Sequence, residues 1–426
     1  MYNHCHEDAL SNSAHPVRAE ERSTTQALVP AIVLGGAQNA LSVARNLARH
    51  GIQVFALNYP HEAVRFSRYA RYMHLDGDGS PNAWERFLLG HESDHLCGSV
   101  LMACSDEAIS IIIKNFEQLS RKFLLEETDV ALRRDLLDKF TIYQRAQEAG
   151  IPTVGYWVPR SSEELDRSMP ELRFPLVMKP LYSPQARILK SKAMLIPDRT
   201  ALTERFSAST RLGVSVVLME YIPGGDDRLC SYYTYLDEHG NPLVHFTKRT
   251  PRRFPLQSGD GTYHIIEWVP EAAELGLHFF RHLKYRGLGN IEFKWDERDG
   301  GLKIIEVNAR FTASDPLITR SGVNLGLIAY NRITGRPQPP VLDYEQSLVM
   351  CRPIEDALAA WELRKRGEMR FSEWINEIRR TNQLPFFEWL DPMPAIAVLG
   401  RRIWRLGNGL QFVRENHRSR VGTESA

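Results

Sequence analysis

The stretch 289–311, GNIEFKWDERDGGLKIIEVNARF, is the part of the sequence that decides the fold. It contains two runs of alternating apolar and polar residues, NIEFKWD and LKIIEVN, on either side of ERDGG. Such alternation is typical of a β-strand with one buried face, and a short Asp- and Gly-rich segment is typical of a hairpin loop. The stretch therefore predicts an antiparallel hairpin.

The register of this hairpin decides which side chains share a face. If ERDGG is a five-residue loop, Asp296 is opposite Leu302 and Glu292 is opposite Glu306. Directly opposed residues project from the same face with Cβ atoms about 4.5–5.5 Å apart, and Asn308, two residues beyond Glu306, shares that face. A slip of one residue would turn Glu292 to the other face.

Two opposed carboxylates repel each other unless a positive charge lies between them. Two glutamates and the amide oxygen of Asn308 are hard oxygen ligands, suited to Mg²⁺ or Mn²⁺ that bridges phosphates. Arg310 follows closely and is placed to neutralise charge on a transferred phosphoryl group. The alternative is a solvated hairpin with ordinary surface glutamates.

Three lysines elsewhere are candidates for holding an anion. Lys179 ends the apolar run FPLVMKP (174–180), where a buried stem can aim an ammonium into a cleft. Lys139 stands near the start of a predicted helical stretch that runs from Arg133 to Gly150, where a basic residue opposes the helix dipole. Lys192, in KSKAMLI, is the third candidate, and solvated side chains are the alternative for all three.

The segment VLMEYIPGGDD (217–227) is an apolar strand that runs into a glycine bend and acidic residues. Main-chain groups at the end of such a strand can form hydrogen bonds with the edge of an adenine ring. Glu220, Asp226 or Asp227 can accept hydrogen bonds from ribose hydroxyls. The alternative is an acidic surface turn.

The N-terminal third predicts an α/β domain with an open parallel sheet over 28–125. ALVPAIVLGG, AQNALSVARNLARHG and IQVFALN read as strand, glycine turn, helix and strand. VLGGAQNA lacks the G-x-G-x-x-G pattern, and Asn58 stands where a dinucleotide site needs an acid. Gly35 and Gly36 are instead interpreted as glycines that let the main chain come close to a small anion at the helix N-terminus.

The amino-acid composition limits the classes of protein to which the chain can belong. The 426 residues are 43% hydrophobic and 25% charged, with 53 Lys and Arg against 52 Asp and Glu. This predicts a globular chain of roughly three domains without the basic field that nucleic-acid binding requires. Five scattered cysteines without a C-x-x-C pair, and the lack of a secretory or membrane-spanning segment, favour a cytoplasmic protein.

Taken together, these pieces resemble the ATP-grasp superfamily, specifically carboxylate–amine ligases related to D-aspartate ligase and, more distantly, the carbamoyl-phosphate synthase large chain. The resemblance runs from about Ala31 to Pro340 and includes DKFTIYQRAQEAGIPT, FPLVMKP, VLMEYIPGGDD, NIEF and IIEVNARF in order. It implies a flexible tail (1–27), a parallel-sheet pre-ATP-grasp domain (28–125), the two α+β ATP-grasp parts (126–225 and 226–345) and a helical extension (346–426).

The resemblance also implies an activity. Such enzymes phosphorylate a carboxylate with ATP and Mg²⁺ (or Mn²⁺), and an amine then displaces the phosphate. Lys139, Lys179 and Lys192 would bind the phosphates, and Glu220, Tyr221, Ile222 and Asp227 would hold the nucleoside. Glu292, Glu306 and Asn308 would bind the metal, and Arg310 would stabilise the transition state. The alternatives are an ATP-grasp kinase or carboxylase, and a nucleotide-binding protein without turnover.

Two further segments remain open. In HFTKRTPRRFPLQSGDGTYH (245–264), Arg249, Arg252 and Arg253 either bind the substrate carboxylate or form a basic surface edge, with Ser258 to Gly261 as a mobile loop. The segment 181–193 lacks the glycine-rich loop that many members of the superfamily carry, so either Ser183, Arg187 and Lys192 close over the phosphates with their side chains or closure over the nucleotide is altered. Homodimers are frequent in the superfamily.

The C-terminal segment 388–420 combines apolar residues with arginines in an amphipathic pattern. It predicts a helix that docks on the catalytic body, binds a partner protein or lies on an anionic membrane surface, and docking is preferred. The arginines are Arg401, Arg402, Arg405, Arg414, Arg418 and Arg420.

Overall fold

The computed structural model describes residues 28–75 and 79–404. The predicted tail 1–27 and the arginines from Arg405 onward lie outside the described residues. Within those residues, no helix is both long and apolar enough to cross a membrane.

The N-terminal region folds as predicted, around a four-stranded parallel sheet with the order β3-β2-β1-β4. Each of the three longer strands is a short apolar run, and the helices that follow cover the two faces. The elements are β1 (Ala31–Leu34), α1 (Gln38–Arg49), β2 (Val54–Leu57), β3 (Arg71–Tyr72), α2 (Pro81–Leu89), β4 (Val100–Ala103), α3 (Asp106–Lys114) and α4 (Phe116–Ser120).

The glycine pair after β1 serves close packing. Gly35 and Gly36 have φ angles of 66° and 85°, and a Cβ on either would lie within 2.7 Å of Cys104 or Ser105. Asn58 donates to the carbonyl oxygens of both glycines, at 3.0 and 2.9 Å. The pair therefore lets the turn after β1 pack against the turn after β4.

A second, antiparallel sheet with the order β5-β8-β6-β7 follows. The single helix predicted from Arg133 to Gly150 is wrong, because Asp138 accepts a hydrogen bond from the Thr141 amide and starts a new helix. The elements are α5 (Val130–Asp135), α6 (Lys139–Glu148), β5 (Tyr156–Trp157), α7 (Ser162–Ser168), β6 (Leu176–Pro180), α8 (Ala186–Leu189), β7 (Met194–Ile196), α9 (Arg199–Arg211) and β8 (Val216–Glu220).

The largest sheet has six strands in the order β13-β12-β9-β10-β11-β14, all antiparallel. Its central strand β9 is buried along its whole length, since helices and neighbouring regions cover both faces. The elements are β9 (Leu229–Leu236), β10 (Pro242–Phe254), β11 (Asp260–Ile266), α10 (Pro270–His282), β12 (Gly287–Trp295), β13 (Leu302–Asn308), α11 (Asp315–Arg320) and α12 (Leu325–Ile333).

The C-terminal segment is joined to this sheet more closely than a purely helical extension would be. Its first element is a strand, which pairs with β11 at the sheet edge. Asp356, which is fully buried, accepts hydrogen bonds from Arg252, Thr262 and Trp374. The elements are β14 (Val349–Cys351), α13 (Pro353–Lys365), α14 (Phe371–Ile378) and α15 (393–404).

Candidate active site

A cavity of about 210 Å³ lies where the N-terminal region, the second sheet and the six-stranded sheet meet. Most of the residues that the sequence singled out for phosphate and metal binding line this cavity. They are Lys139, Lys179, Lys192, Glu292, Glu306, Asn308 and Arg310, together with Ser183 and Arg253.

The hairpin brings Glu292 opposite Glu306, as predicted. The structure nevertheless differs from the predicted register in two places, and the two differences cancel at this pair. Trp295, rather than Asp296, is opposite Leu302, so the predicted loop is one residue out of register. Ile305 is an extra residue in β13, because Glu306 pairs with Glu292 and Ile304 pairs with Phe293. This β-bulge restores the expected pairing of the two glutamates.

The bulge also supplies hydrogen-bond acceptors to the cavity wall. The carbonyl oxygen of Ile305 accepts from the Lys179 ammonium at 3.2 Å and from the Tyr143 hydroxyl at 2.7 Å. Lys179 is almost completely buried, and burial lowers its pKa to about 8. The lysine is therefore fixed in direction and sparingly solvated, which suits an ammonium that contacts phosphate.

The two facing glutamates create an electrostatic cost in the ligand-free protein. Burial and the neighbouring carboxylate of Glu306 raise the pKa of Glu292, against the opposing influence of Lys248 and Lys179. A divalent cation between the carboxylates would relieve this cost. Among the described residues there is no group of three or more His, Cys, Asp and Glu side chains arranged for a metal, so the candidate site consists of two carboxylates and an amide.

The orientation of Asn308 is determined by its neighbour Asn290. The Asn290 amide donates to the Tyr232 carbonyl oxygen at 3.1 Å, and its own side-chain oxygen accepts from the Asn308 amide at the same distance. Asn308 therefore keeps its side-chain oxygen for another partner, as a metal ligand requires. Sequence reasoning missed Asn290, although its position two residues before Glu292 places it on the same face.

Lys139 and Lys192 both line the cavity. Lys139 is buried at the first position of α6 and donates to the Ser183 hydroxyl at 2.8 Å. Lys192 pairs with Asp260 at 2.8 Å, and this carboxylate raises the pKa of Lys192. Lys139 therefore has a neutral hydroxyl as its partner and Lys192 has a carboxylate, and a phosphate that binds Lys192 competes with that carboxylate.

Arg310 forms a two-point salt bridge with Asp106, at 2.5 and 3.1 Å. Asp106 is the first residue of α3, so this pair joins the N-terminal region to the hairpin strand. The guanidinium lowers the pKa of Asp106 against the effect of burial. Asp106 was not anticipated from the sequence, because 204 positions separate the two residues.

Eight of the residues predicted to bind or cover the substrates lie away from the cavity wall. Arg252 is buried against Asp356, and Arg249 donates to the Asp227 carbonyl oxygen at 2.6 Å and lies 5.8 Å from the Trp295 ring. The Ile222 carbonyl oxygen accepts from Lys294 at 2.8 Å. The eight residues are Arg187, Arg249, Arg252, Glu220, Tyr221, Ile222, Asp226 and Asp227.

A basic cluster that the sequence reasoning missed lines the cavity beside the two glutamates, on the same sheet. Lys248 is buried, donates to the Thr250 hydroxyl at 2.8 Å and lies 3.4 Å from His264 Nδ1. Burial lowers the pKa of Lys248 to about 8 and that of His264 well below its usual value. Strand pairing places Lys248, Ser231, Glu292 and Glu306 in one row across four strands.

Sequence comparison finds relatives over much of this region. A family model described as the ATP-binding domain of the carbamoyl-phosphate synthase L chain matches residues 271–331, which contain the candidate metal hairpin. D-aspartate ligase of Enterococcus faecium (strain Aus0004) is 23% identical over 334 residues, which cover 72% of this chain and 77% of that protein.

Structure comparison finds a similar fold in solved proteins. The biotin carboxylase domain of Hydrogenobacter thermophilus 2-oxoglutarate carboxylase, solved as a dimer with MgADP, ADP and bicarbonate, has a TM-score of 0.59 at 19% identity and covers 75% of this chain and 73% of that chain. An L-amino acid ligase from Bacillus licheniformis has a TM-score of 0.55 at 18% identity, covering 72% and 75%. At these identities the likeness shows a shared fold.

Proposed function

We propose that this chain, which has the ATP-grasp fold, is an ATP- and Mg²⁺-dependent ligase that activates a carboxylate as an acyl phosphate and joins it to an amine. The observation that carries the proposal is the convergence of four cationic side chains and two facing glutamates on one cavity. The four cations are Lys139, Lys179, Lys192 and Arg310.

The lysines are suited to binding the phosphates of ATP. Lys179 and Lys139 are buried at the cavity wall, where an ammonium interacts with phosphate more strongly than in water. Their hydrogen bonds to the Ile305 carbonyl oxygen and the Ser183 hydroxyl set their directions before the nucleotide arrives. This preorganisation is the main contribution a protein makes to phosphoryl transfer.

Glu292, Glu306 and Asn308 fit a divalent cation, because a pair of repelling carboxylates and an oriented amide oxygen form a hard, oxygen-only set. When bound there, Mg²⁺ would neutralise phosphate charge and make the terminal phosphorus more electrophilic. The hairpin holds all three side chains on one face, so the chain itself determines where that charge would lie.

Arg310 is the group we assign to the transferred phosphoryl and to the acyl phosphate. Its guanidinium lies at the cavity wall and is held in a fixed direction by Asp106. In the proposed reaction the substrate carboxylate oxygen bonds to the γ-phosphorus as the bond to ADP breaks. The amine nitrogen then bonds to the carbonyl carbon as phosphate leaves and a proton is released.

Release of ADP by the purified chain with Mg·ATP tests this function. The screen combines pooled carboxylates with and without pooled amines. A ligase releases ADP only when both pools are present, and mass spectrometry then identifies the amide. ADP release with a carboxylate or bicarbonate alone would favour a kinase or a carboxylase, and Mg·ATP binding without ADP release would favour a protein without turnover.

A matched pair of variants links any activity to the cavity. Glu306→Gln removes one of the two facing carboxylates, whereas Glu297→Gln changes a half-exposed glutamate in the loop of the same hairpin. We expect the first variant to lose turnover and the second to retain it. Equal turnover in both variants would contradict the proposed site. We also propose a homodimer, which light scattering of the purified chain measures.

A further inference from the structure

Exposed apolar side chains are concentrated in the C-terminal segment. Among the described residues, 19 large apolar side chains are exposed, and 11 of them lie in 354–404. Trp389 is 88% exposed, and Trp404 and Trp361 are 66% and 55% exposed. An apolar concentration of this kind marks an interaction surface. The 11 residues are Ile354, Leu358, Trp361, Phe371, Trp389, Leu390, Met393, Ile396, Leu399, Ile403 and Trp404.

These side chains form stripes on two helices. On α13 the exposed residues Ile354, Leu358 and Trp361 recur at helical spacing, and on α15 Ile396, Leu399 and Ile403 do the same. The amphipathic helix predicted from the sequence is therefore present as α15. More of its large apolar side chains face solvent than face the core.

The helices that carry the two stripes are in contact. A salt bridge joins Arg402 of α15 to Glu355 of α13. Helix residues three apart are neighbours, so Leu399 on α15 and Leu358 on α13 each lie beside one partner of this salt bridge. We name the 11 exposed apolar residues on and around these helices the C-terminal patch.

The body of the protein holds α15 by a different face. Val398 is buried in the core shared with the N-terminal region, and Arg401 donates to the His61 carbonyl oxygen at 2.6 Å. Docking of α15 therefore leaves the C-terminal patch uncovered within the described residues.

The exposed charges of the C-terminal segment are mainly positive. Among the exposed charged residues of 349–404, six are basic and two are acidic. Lys365 lies 3.4 Å from the Trp361 ring centroid, so a cation adjoins the apolar stripe directly. The basic residues are Arg364, Lys365, Arg366, Arg370, Arg379 and Arg380, and the acidic residues are Glu368 and Glu373.

We propose that the C-terminal patch binds the surface of an anionic lipid bilayer. Tryptophan and aliphatic side chains enter the boundary between headgroups and acyl chains, while surrounding lysines and arginines attract acidic headgroups. A tryptophan that is 88% exposed protrudes from its surroundings, and a deformable lipid interface can accommodate it without a preformed pocket. This inference concerns a surface outside the catalytic cavity and is independent of the proposed reaction.

Co-sedimentation of the full-length chain with lipid vesicles tests the proposal. One set of vesicles is phosphatidylcholine alone, and the other contains one third phosphatidylglycerol. We expect binding to the anionic vesicles to be at least about tenfold stronger, to weaken with added salt and to shift tryptophan emission to shorter wavelength. Equal binding to both vesicles, or binding to neither, would overturn the proposal.

Matched variants connect binding to the C-terminal patch. Ile396→Asp with Leu399→Asp introduces charge on α15, and Trp389→Ser is a second variant that leaves the helix unchanged. Leu212→Asp changes a side chain that is 54% exposed elsewhere. We expect about tenfold weaker vesicle binding for the patch variants only, with the thermal unfolding temperature retained.

Sedimentation velocity without lipid distinguishes a second copy of the chain from a membrane. If the patch variants abolish self-association and leave vesicle binding unchanged, the surface is a protein interface and the proposal is wrong. If they weaken vesicle binding and leave the oligomeric state unchanged, the proposal holds.

Discussion

The Lys179 ammonium lies 3.2 Å from the main-chain oxygen of Ile305, the extra residue of the β13 bulge. This hydrogen bond joins the second sheet to the hairpin that carries Glu292 and Glu306. A bulge leaves main-chain groups outside the regular ladder, and here the freed carbonyl directs a buried lysine. The same irregularity therefore sets the pairing of the glutamates and the direction of the ammonium.

Lys179→Met should weaken ATP binding by about tenfold to a hundredfold, because one charge-assisted hydrogen bond to phosphate is lost. Isothermal titration calorimetry measures the dissociation constant. Lys114→Met, at an exposed lysine on α3, should bind ATP as tightly as the unmodified chain. A dissociation constant in Lys179→Met within twofold of that chain would contradict the assignment.

ATP affinity should fall as the pH rises from 7 to 9.5. The pKa of Lys179 is about 8 in the ligand-free protein, and a bound phosphate favours its charged form. Binding above pH 8 must therefore take up a proton, which calorimetry in two buffers detects. Lys179→Arg should reduce the dependence of ATP affinity on pH. Any dependence that remains is expected to come from Lys248, whose pKa is also about 8. A flat profile would show that neither lysine contacts the nucleotide.

Glu292→Gln should stabilise the metal-free protein by about 0.5–1 kcal/mol, because the raised pKa means that the folded state disfavours the charged carboxyl. The same change should remove the increase in unfolding temperature that Mn²⁺ produces. Calorimetric melting with EDTA and with Mn²⁺ measures both effects, and Glu297→Gln is the control on the same hairpin. Unchanged stabilisation by Mn²⁺ in Glu292→Gln would place the cation elsewhere.

Asp106→Asn should separate ATP binding from turnover. The change removes a negative charge near Lys139 and Lys192, so ATP should bind as tightly as before or more tightly. Arg310 would lose its two-point partner, and turnover should fall by about tenfold or more because the guanidinium is less well oriented. Steady-state kinetics and direct measurements of ATP binding test this prediction. Equal losses of turnover and of ATP affinity would contradict it and would indicate that the substitution disrupts the structure of the site.

Asp356→Asn should destabilise the chain by about 3 kcal/mol, because it removes the buried carboxylate that binds Arg252 at two points and leaves that arginine only the partly exposed Glu377 as a charged partner. Urea unfolding measures the loss. Arg249→Gln, which changes a half-exposed arginine on the same strand, should cost less than about 1 kcal/mol. Equal losses in the two variants would contradict the structural role that the packing gives to Arg252.

The strands and the local pairing of side chains followed from sequence periodicity. Alternating residues in 289–311 predicted the hairpin, the opposition of Glu292 and Glu306, and the shared face of Asn308. The loop register was wrong by one residue, because a β-bulge has no periodic signal and Ile305 looks like any other apolar strand residue. The pairing is correct only because the two differences cancel.

Relationships between distant parts of the chain required the tertiary structure. Asp106 meets Arg310 across 204 positions and Lys179 meets Ile305 across 126, and nothing in either local pattern names its partner. Arg252 and Arg253 are adjacent in sequence, yet one is buried against Asp356 and the other lines the cavity. Adjacent strand residues project to opposite faces, so only the packing around the sheet decides which arginine serves the site.

The sequence by itself determined the N-terminal parallel strands, the carboxylate hairpin and the residue types of the candidate site, because these depend on local propensity and on spacing within one element, and its resemblance to a known superfamily indicated the fold class. Only the tertiary structure decided which cations converge on the glutamates, that Asn290 orients Asn308, and that the apolar stripe of α15 faces outward. Those features depend on contacts between elements, where burial and charge pairing select among side chains that look equivalent in sequence.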